Sequence, residues 1–179
     1  MTTAASGCIT KAEERIRDML ANCATFQTWV SAANATAAKS SIYYDAPPMP
    51  RSGEDTSVLS YNQSLRPFAV VWTGTSDGFT LNEMIGGSGV VYVRLEQDVP
   101  GAVLTNYEEA DRLFKNTIGG IIHSGDTDNP GLWELSLTRQ YAQITQIQLA
   151  ALYHTAEDEY DTYGNAQAAE LAIRWGVTR

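Results

Sequence analysis

The sequence is poor in basic residues, and this disfavours the protein classes that grip nucleic acid. Of its 179 residues, 12 are Lys or Arg and 21 are Asp or Glu, which gives a formal net charge of −9. Affinity for DNA or RNA backbones comes largely from Lys and Arg side chains that neutralise phosphates. The sequence therefore predicts neither tight nucleic-acid binding nor attachment to an anionic membrane surface. It is compatible with a passage that DNA traverses without being held.

Cysteine is also scarce. The chain has two, Cys8 and Cys23, which are too few for a disulfide framework and lack the spacing of a metal site. Cys23 falls on the predicted buried face of a helix, where a thiol is usually inert. The sequence therefore disfavours a thiol enzyme and indicates reduced cysteines in a cytoplasmic protein.

Long apolar runs are missing as well. Residues 1–15 contain no apolar core of signal-peptide length, and no later run approaches the length that spans a bilayer. With 44% hydrophobic and 18% charged residues, the composition is typical of a globular domain. We therefore expect one domain over residues 1–179, made in a cytoplasm and not bound to a membrane.

The glycine-rich stretch GGSG, residues 86–89, lacks the context of a nucleotide site. A dinucleotide fingerprint needs a strand, then glycines, then a helix whose N-terminus faces the pyrophosphate. Here the glycines lead into the alternating segment VVYVRLEQD, residues 90–98, which predicts a half-buried strand. We interpret the glycines as a hinge for the loop that precedes them, and we predict no nucleotide cofactor.

Hydrophobic periodicity predicts an α+β domain. Apolar residues at spacings of three and four predict helices over residues 10–37 and 106–123. Residues 132–141 are compatible with a strand or a short helix. Loops rather than crossover helices separate most of the alternating segments, so we expect a single antiparallel or mixed β-sheet with two main helices packed on one face. The predicted strands are 41–46, 66–74, 90–98, 142–154 and 166–177, and alternation in the fourth places Thr145, Ile147, Leu149 and Ala151 on one side.

Two predicted loops are long and unusually apolar. Residues 46–64 carry three prolines among Ser, Gly and acidic residues, and residues 76–89 precede the strand at 90–98. Loops of this length are commonly functional, and exposed apolar segments usually mark protein–protein surfaces. We therefore predict an assembly subunit whose interface includes Met49, Leu59, Tyr61, Phe79, Leu81, Met84 and Ile85.

Histidine, the commonest acid–base residue, occurs twice. His123 follows Ile121 and Ile122, and His154 follows Leu152 and Tyr153, each at the end of a predicted element. A single histidine in such a position is more often structural or exposed than catalytic. We predict no catalytic residue, and a small enzyme or ligand-binding module that uses one of these histidines is the alternative.

Acidic residues offer one weak metal motif. Asp126 and Asp128 resemble the start of a calcium loop, but Leu137 stands where the bidentate glutamate of such a loop belongs. A second acidic run at residues 157–161 is typical of a solvated loop. We therefore predict no metal site and no cofactor, and the alternative is a metal held between these two acidic segments.

Five longer segments resemble one family of proteins. The similarity runs from about residue 12 to residue 177, and it lies in apolar patterns and in short words such as FQ, RPF and a terminal WG. They resemble small proteins of tailed phages and prophages, from among the head–tail joining genes, that are described as tail terminator or tail completion proteins. The segments are ATFQTWVSAANATAAKSSIYYDAPP, RPFAVVW, GSGVVYVRLEQDVP, EEADRLFKNTIGGII and EDEYDTYGNAQAAELAIRWGV.

This resemblance implies an α+β fold with helices on one face of a sheet, and no active site. It implies a hexameric ring of identical subunits on the end of the tail tube. The ring would stop tube polymerisation, contact the tail tube protein and offer a surface to the head-completion or connector protein. DNA would pass through the lumen, which suits the negative net charge.

The resemblance also implies a virion location after assembly in a bacterial cytoplasm. A head-closure or adaptor protein under the portal is the alternative within the same class. Residues 132–141 look like an extension relative to the family.

Overall fold

The structure is a computed structural model that describes residues 8–45, 65–73, 80–82, 86–98, 107–137, 143–154 and 166–176. The helices are α1 (Cys8–Asn22), α2 (Ala24–Trp29), α3 (Ala35–Ala38), α4 (Tyr107–Ile122) and α5 (Leu132–Leu137). The strands are β1 (Ile42–Tyr44), β2 (Phe68–Thr73), β3 (Thr80–Asn82), β4 (Gly86–Asp98), β5 (Gln143–His154) and β6 (Ala166–Gly176). None of the described helices is long and apolar enough to cross a membrane.

The six strands form one mixed sheet. Its order is β1-β2-β4-β6-β5, and β3 pairs with the start of β4. β1 runs parallel to β2, whereas the other described pairings are antiparallel. The predicted α+β fold with a single sheet is therefore confirmed, and the described residues form five helices where we expected two main ones.

Alternation along the inner strands builds the core. Val91, Val93 and Leu95 of β4 point to one face of the sheet and are fully buried, as a strand with one face on a core requires. The helices cover this face. The helix residues buried against it include Ile16, Met19, Leu20, Phe26, Phe114, Ile118, Ile121 and Leu132.

The predicted helix over residues 10–37 is wrong in its continuity, because it is divided into α1, α2 and α3. Cys23 is extended and fully buried, which turns the chain so that Phe26 also enters the core. Ser31 adopts a positive φ of 55°. Asn34 then caps α3, with its side chain accepting a hydrogen bond from the backbone N–H of Ala37 at 2.9 Å.

The predicted loop at 76–89 also differs from the structure, since part of it is strand. β3 pairs with residues 86–88 of β4, so the glycines begin the strand and do not lie in the loop before it. A Cβ at Gly89 would lie 3.2 Å from the Trp175 ring, which explains why glycine suits this position. The remaining residues of the predicted loop lie outside the described ranges.

Two irregularities in β5 overturn the predicted grouping of its side chains. Register shifts fall between Ile144 and Gln146 and between Leu149 and Ala151, so Thr145 and Ala150 are extra residues. Such a bulge reverses the alternation beyond it. Ile147 and Leu149 lie on one face of the sheet as expected. The prediction that Thr145 and Ala151 lie on this same face is wrong.

Candidate functional site

The predicted interface residues fall mostly beyond the described part of the chain. Leu81 lies in β3, where its backbone pairs with Gly87. The other six lie outside the described residues, so the interface stays a prediction at Met49, Leu59, Tyr61, Phe79, Met84 and Ile85.

The described residues offer a different exposed surface, the edge strand β5. Within the described part of the chain, β5 pairs with β6 and no strand pairs with its other edge. From residue 144 to residue 152, only Ile144 is buried. Leu149 is 43% exposed, and β5 contains no Lys, Arg, Asp or Glu. A long uncharged edge is a template for pairing with another chain.

An open groove of about 350 Å³ runs beside this strand. It lies between the end of α4, α5 and the first half of β5. Its walls combine apolar side chains with a few polar ones. The lining residues are Ile122, His123, Trp133, Thr145, Gln146 and Ile147.

His123, the histidine in this groove, is paired with Glu134. Its Nδ1 contacts Oε1 of Glu134, and the imidazole is 61% exposed while the carboxylate is only 14% exposed. Glu134 also accepts hydrogen bonds from the backbone N–H groups of Gly125 at 3.1 Å and Gly131 at 2.9 Å. Burial raises the pKa of Glu134, but backbone hydrogen bonds outweigh it and hold the pKa below its ordinary value.

The arrangement around Glu134 has a structural purpose. Its carboxylate closes the turn between α4 and α5, because residues on both sides of the turn donate to it. A Cβ at Gly131 would lie 2.9 Å from the carbonyl oxygen of Gly120, so α5 starts in close contact with the end of α4. His123 is therefore attached to a firmly held turn at the rim of the groove.

The resemblance to a calcium loop is explained by the same turn. One carboxylate oxygen of Asp126 accepts from the backbone N–H of Asp128 at 2.8 Å, and the other accepts from Nδ2 of Asn129 at 2.9 Å. The hydrogen bond from Asn129, followed by that from Asp128, lowers the pKa of Asp126. Across the described ranges, no three His, Cys, Asp or Glu side chains group as a metal site requires. The acidic run at 157–161 lies outside those ranges.

Sequence reasoning missed a buried charge cluster on the sheet face opposite the helices. Glu96 and Arg66 are each only 1% exposed in their side chains. Oε1 of Glu96 accepts from Arg66 at 2.6 and 2.7 Å, and Oε2 accepts from Arg94 at 3.0 and 3.1 Å. Arg66 also contacts Asp98 at 2.9 Å. The cluster anchors the residues that enter β2 to the centre of the sheet.

Cys23 lies between α1 and α2. It is a free, fully buried thiol, and burial raises its pKa. A raised pKa keeps the thiol protonated, so Cys23 is not poised as a nucleophile.

Comparison of the sequence with models of known protein families and with curated proteins finds no match.

Proposed function

We propose that the protein is a structural subunit of a tailed phage that forms a ring at the end of the tail tube. The ring terminates tail polymerisation and joins the tail to the head connector. The observation that carries this proposal is the exposed, uncharged edge strand β5, a surface suited to a protein partner. The resemblance of five sequence segments to tail terminator proteins names the kind of assembly.

The charge of the chain supports the same function. A net charge of −9 disfavours binding to phosphate backbones, so DNA can pass through the ring without being retained. The α+β fold with helices on one face of one sheet agrees with the fold that the resemblance implies.

A head-closure or adaptor protein under the portal is the nearest alternative. The two functions differ in the particle that forms when the protein is missing. We expect electron microscopy of a phage lacking the gene to show tails of excess length, because nothing stops the tube. Tail-less heads that leak DNA would instead identify the protein as a head-closure protein. Normal particles would contradict both the terminator and the head-closure function.

A small enzyme or ligand-binding module is a second candidate, favoured by one observation. His123 is oriented by Glu134 at the rim of an open groove, and such a pair can act as an acid–base group. Elemental analysis of the purified protein tests whether such a module binds a metal ion, since a stoichiometric metal would support this alternative. Capping of purified tail tubes by His123→Ala protein at the wild-type level is the result expected for a structural subunit.

A further inference from the structure

The two edge strands of the sheet, β1 and β5, are among the strands that carry no charged side chain. Every Lys, Arg, Asp and Glu of the described strands lies on β4 or β6. Because the chain has a net charge of −9, two copies repel each other over most of their surfaces. This electrostatic repulsion is weakest where an uncharged edge of one copy approaches an uncharged edge of the other.

At the β5 edge, two bulges divide the pairing with β6 into regular parts, of which one comprises residues 151–154 and another comprises residues 146–149. Within residues 146–149, Gln146, Gln148 and Leu149 are exposed. Charged side chains and proline are common devices that protect a sheet edge from other chains, and this segment contains neither.

At the opposite edge, β1 presents an apolar ring. Tyr44 is 36% exposed, although Ile42 two residues earlier is buried. The guanidinium of Arg17 lies 5.0 Å from the centre of the Tyr44 ring and holds it in place. Four large hydrophobic residues of the described chain are exposed, and two of them, Tyr44 and Leu149, stand on the two edge strands.

We propose that β5 of one copy pairs with the β1 edge of the next, so that the sheets of neighbouring subunits join. The inference rests on the proposed ring. A ring needs contacts between two different surfaces of the subunit, since a surface that pairs with itself closes a dimer. β1 and β5 are different surfaces at opposite ends of one sheet, and they meet this requirement.

The first test uses Leu149→Lys with Leu113→Lys as its matched control. Leu113 lies on α4 and is 48% exposed, close to the 43% of Leu149. Both changes reduce the net negative charge equally, which by itself favours association. We expect sedimentation equilibrium to show self-association of Leu149→Lys weakened about tenfold or more, because a charge at a pairing edge blocks strand addition. Leu113→Lys should associate as the wild type does.

The second test asks whether the partner edge is β1. Tyr44→Glu, which keeps an attractive group beside Arg17, should also fail to self-associate, with Leu113→Glu as the control for added negative charge. A mixture of Leu149→Lys and Tyr44→Glu should associate, because the intact β5 of one meets the intact β1 of the other. Thermal unfolding of each variant verifies that it is folded.

The outcomes separate this inference from the proposed function. Leu149→Lys protein that still forms rings overturns the β5 edge while the ring remains. Normal association of Tyr44→Glu, or no association in the mixture, overturns the pairing with β1. Wild-type protein that stays monomeric at high concentration and does not cap tail tubes overturns the proposed function together with the inference.

Discussion

β5 and β6 are neighbouring strands of similar length, but β5 is mostly exposed to solvent and β6 is mostly buried. Leu149 of β5 and Leu171 of β6 are register partners, yet Leu149 is 43% exposed and Leu171 is fully buried. Seven of the eleven residues of β6 are buried, whereas Ile144 alone is buried among residues 144–152 of β5. The helix layer covers β6 and leaves β5 largely open.

Position in the sheet, more than residue type, produces this difference. Both strands are rich in Ala, Ile and Leu, so hydrophobicity alone does not distinguish them. β6 has a strand on each side and helices on one face, whereas β5 has β6 alone beside it within the described chain. An exposed apolar strand of this kind is a common feature of protein–protein surfaces, and it is the basis of the proposed pairing between subunits.

The largest expected effect comes from the buried charges of the sheet interior. Glu96→Ala removes the buried carboxylate that pairs with Arg66 and leaves only the exposed carboxylate of Asp98 beside its guanidinium. We therefore expect the free energy of unfolding to fall by about 3–5 kcal/mol. Gln148→Ala on the edge should change it by no more than about 0.5 kcal/mol. Urea unfolding of both variants measures this. An equal decrease in the free energy of unfolding for both variants would show that the buried charges contribute no more to stability than the edge residue does.

Substitution of the register partners Leu171 and Leu149 gives the next largest expected difference in the free energy of unfolding. Leu171→Ala opens a cavity in the core, and we expect a loss of about 2–5 kcal/mol in the free energy of unfolding. Leu149→Ala, measured at a concentration too low for association, should cost no more than about 0.5 kcal/mol. A large cost at Leu149 in the monomer would mean that this side chain is packed within its own subunit.

The smallest expected effect concerns α5, the helix beside the open edge. Glu134 has a lowered pKa in the folded state, so the unfolded chain binds its proton more readily. Its contribution to stability is complete above the ordinary pKa of 4.5 and is lost as the pH falls through the lower folded value. Glu134→Gln should destabilise by about 1–3 kcal/mol at neutral pH.

Thermal unfolding between pH 7 and pH 3 tests this linkage. The wild type should lose stability relative to Glu134→Gln as the pH falls, and the difference between the two proteins should shrink. A constant difference across this range would show that the Glu134 carboxylate does not stabilise the turn through its charge.

Alternation predicted β6 and β4 well because their apolar faces have no interruption. Ala169, Leu171, Ile173 and Trp175 face the core as expected. The same reasoning failed in β5, since a bulge adds one residue and leaves no mark in the pattern.

The interactions between distant segments could not be predicted from spacing. Arg66 and Glu96 are 30 residues apart, and neither strand pattern indicates that they meet. The break of the first helix at Cys23 likewise depends on core packing that only the folded chain supplies. Glu134 lies in the segment whose sequence left helix and strand open, so its hydrogen bonds to the preceding turn were not foreseen.

The open edge of β5 also has a cost when the protein is made alone. A strand without charges or proline at its edge can recruit any extended segment, including one from an unfolded neighbour. Overproduced protein is therefore expected to precipitate through this strand, and Leu149→Lys should raise the soluble yield more than Leu113→Lys does. The ratio of the two yields is a measure of misassembly that needs neither phage particles nor purified partners.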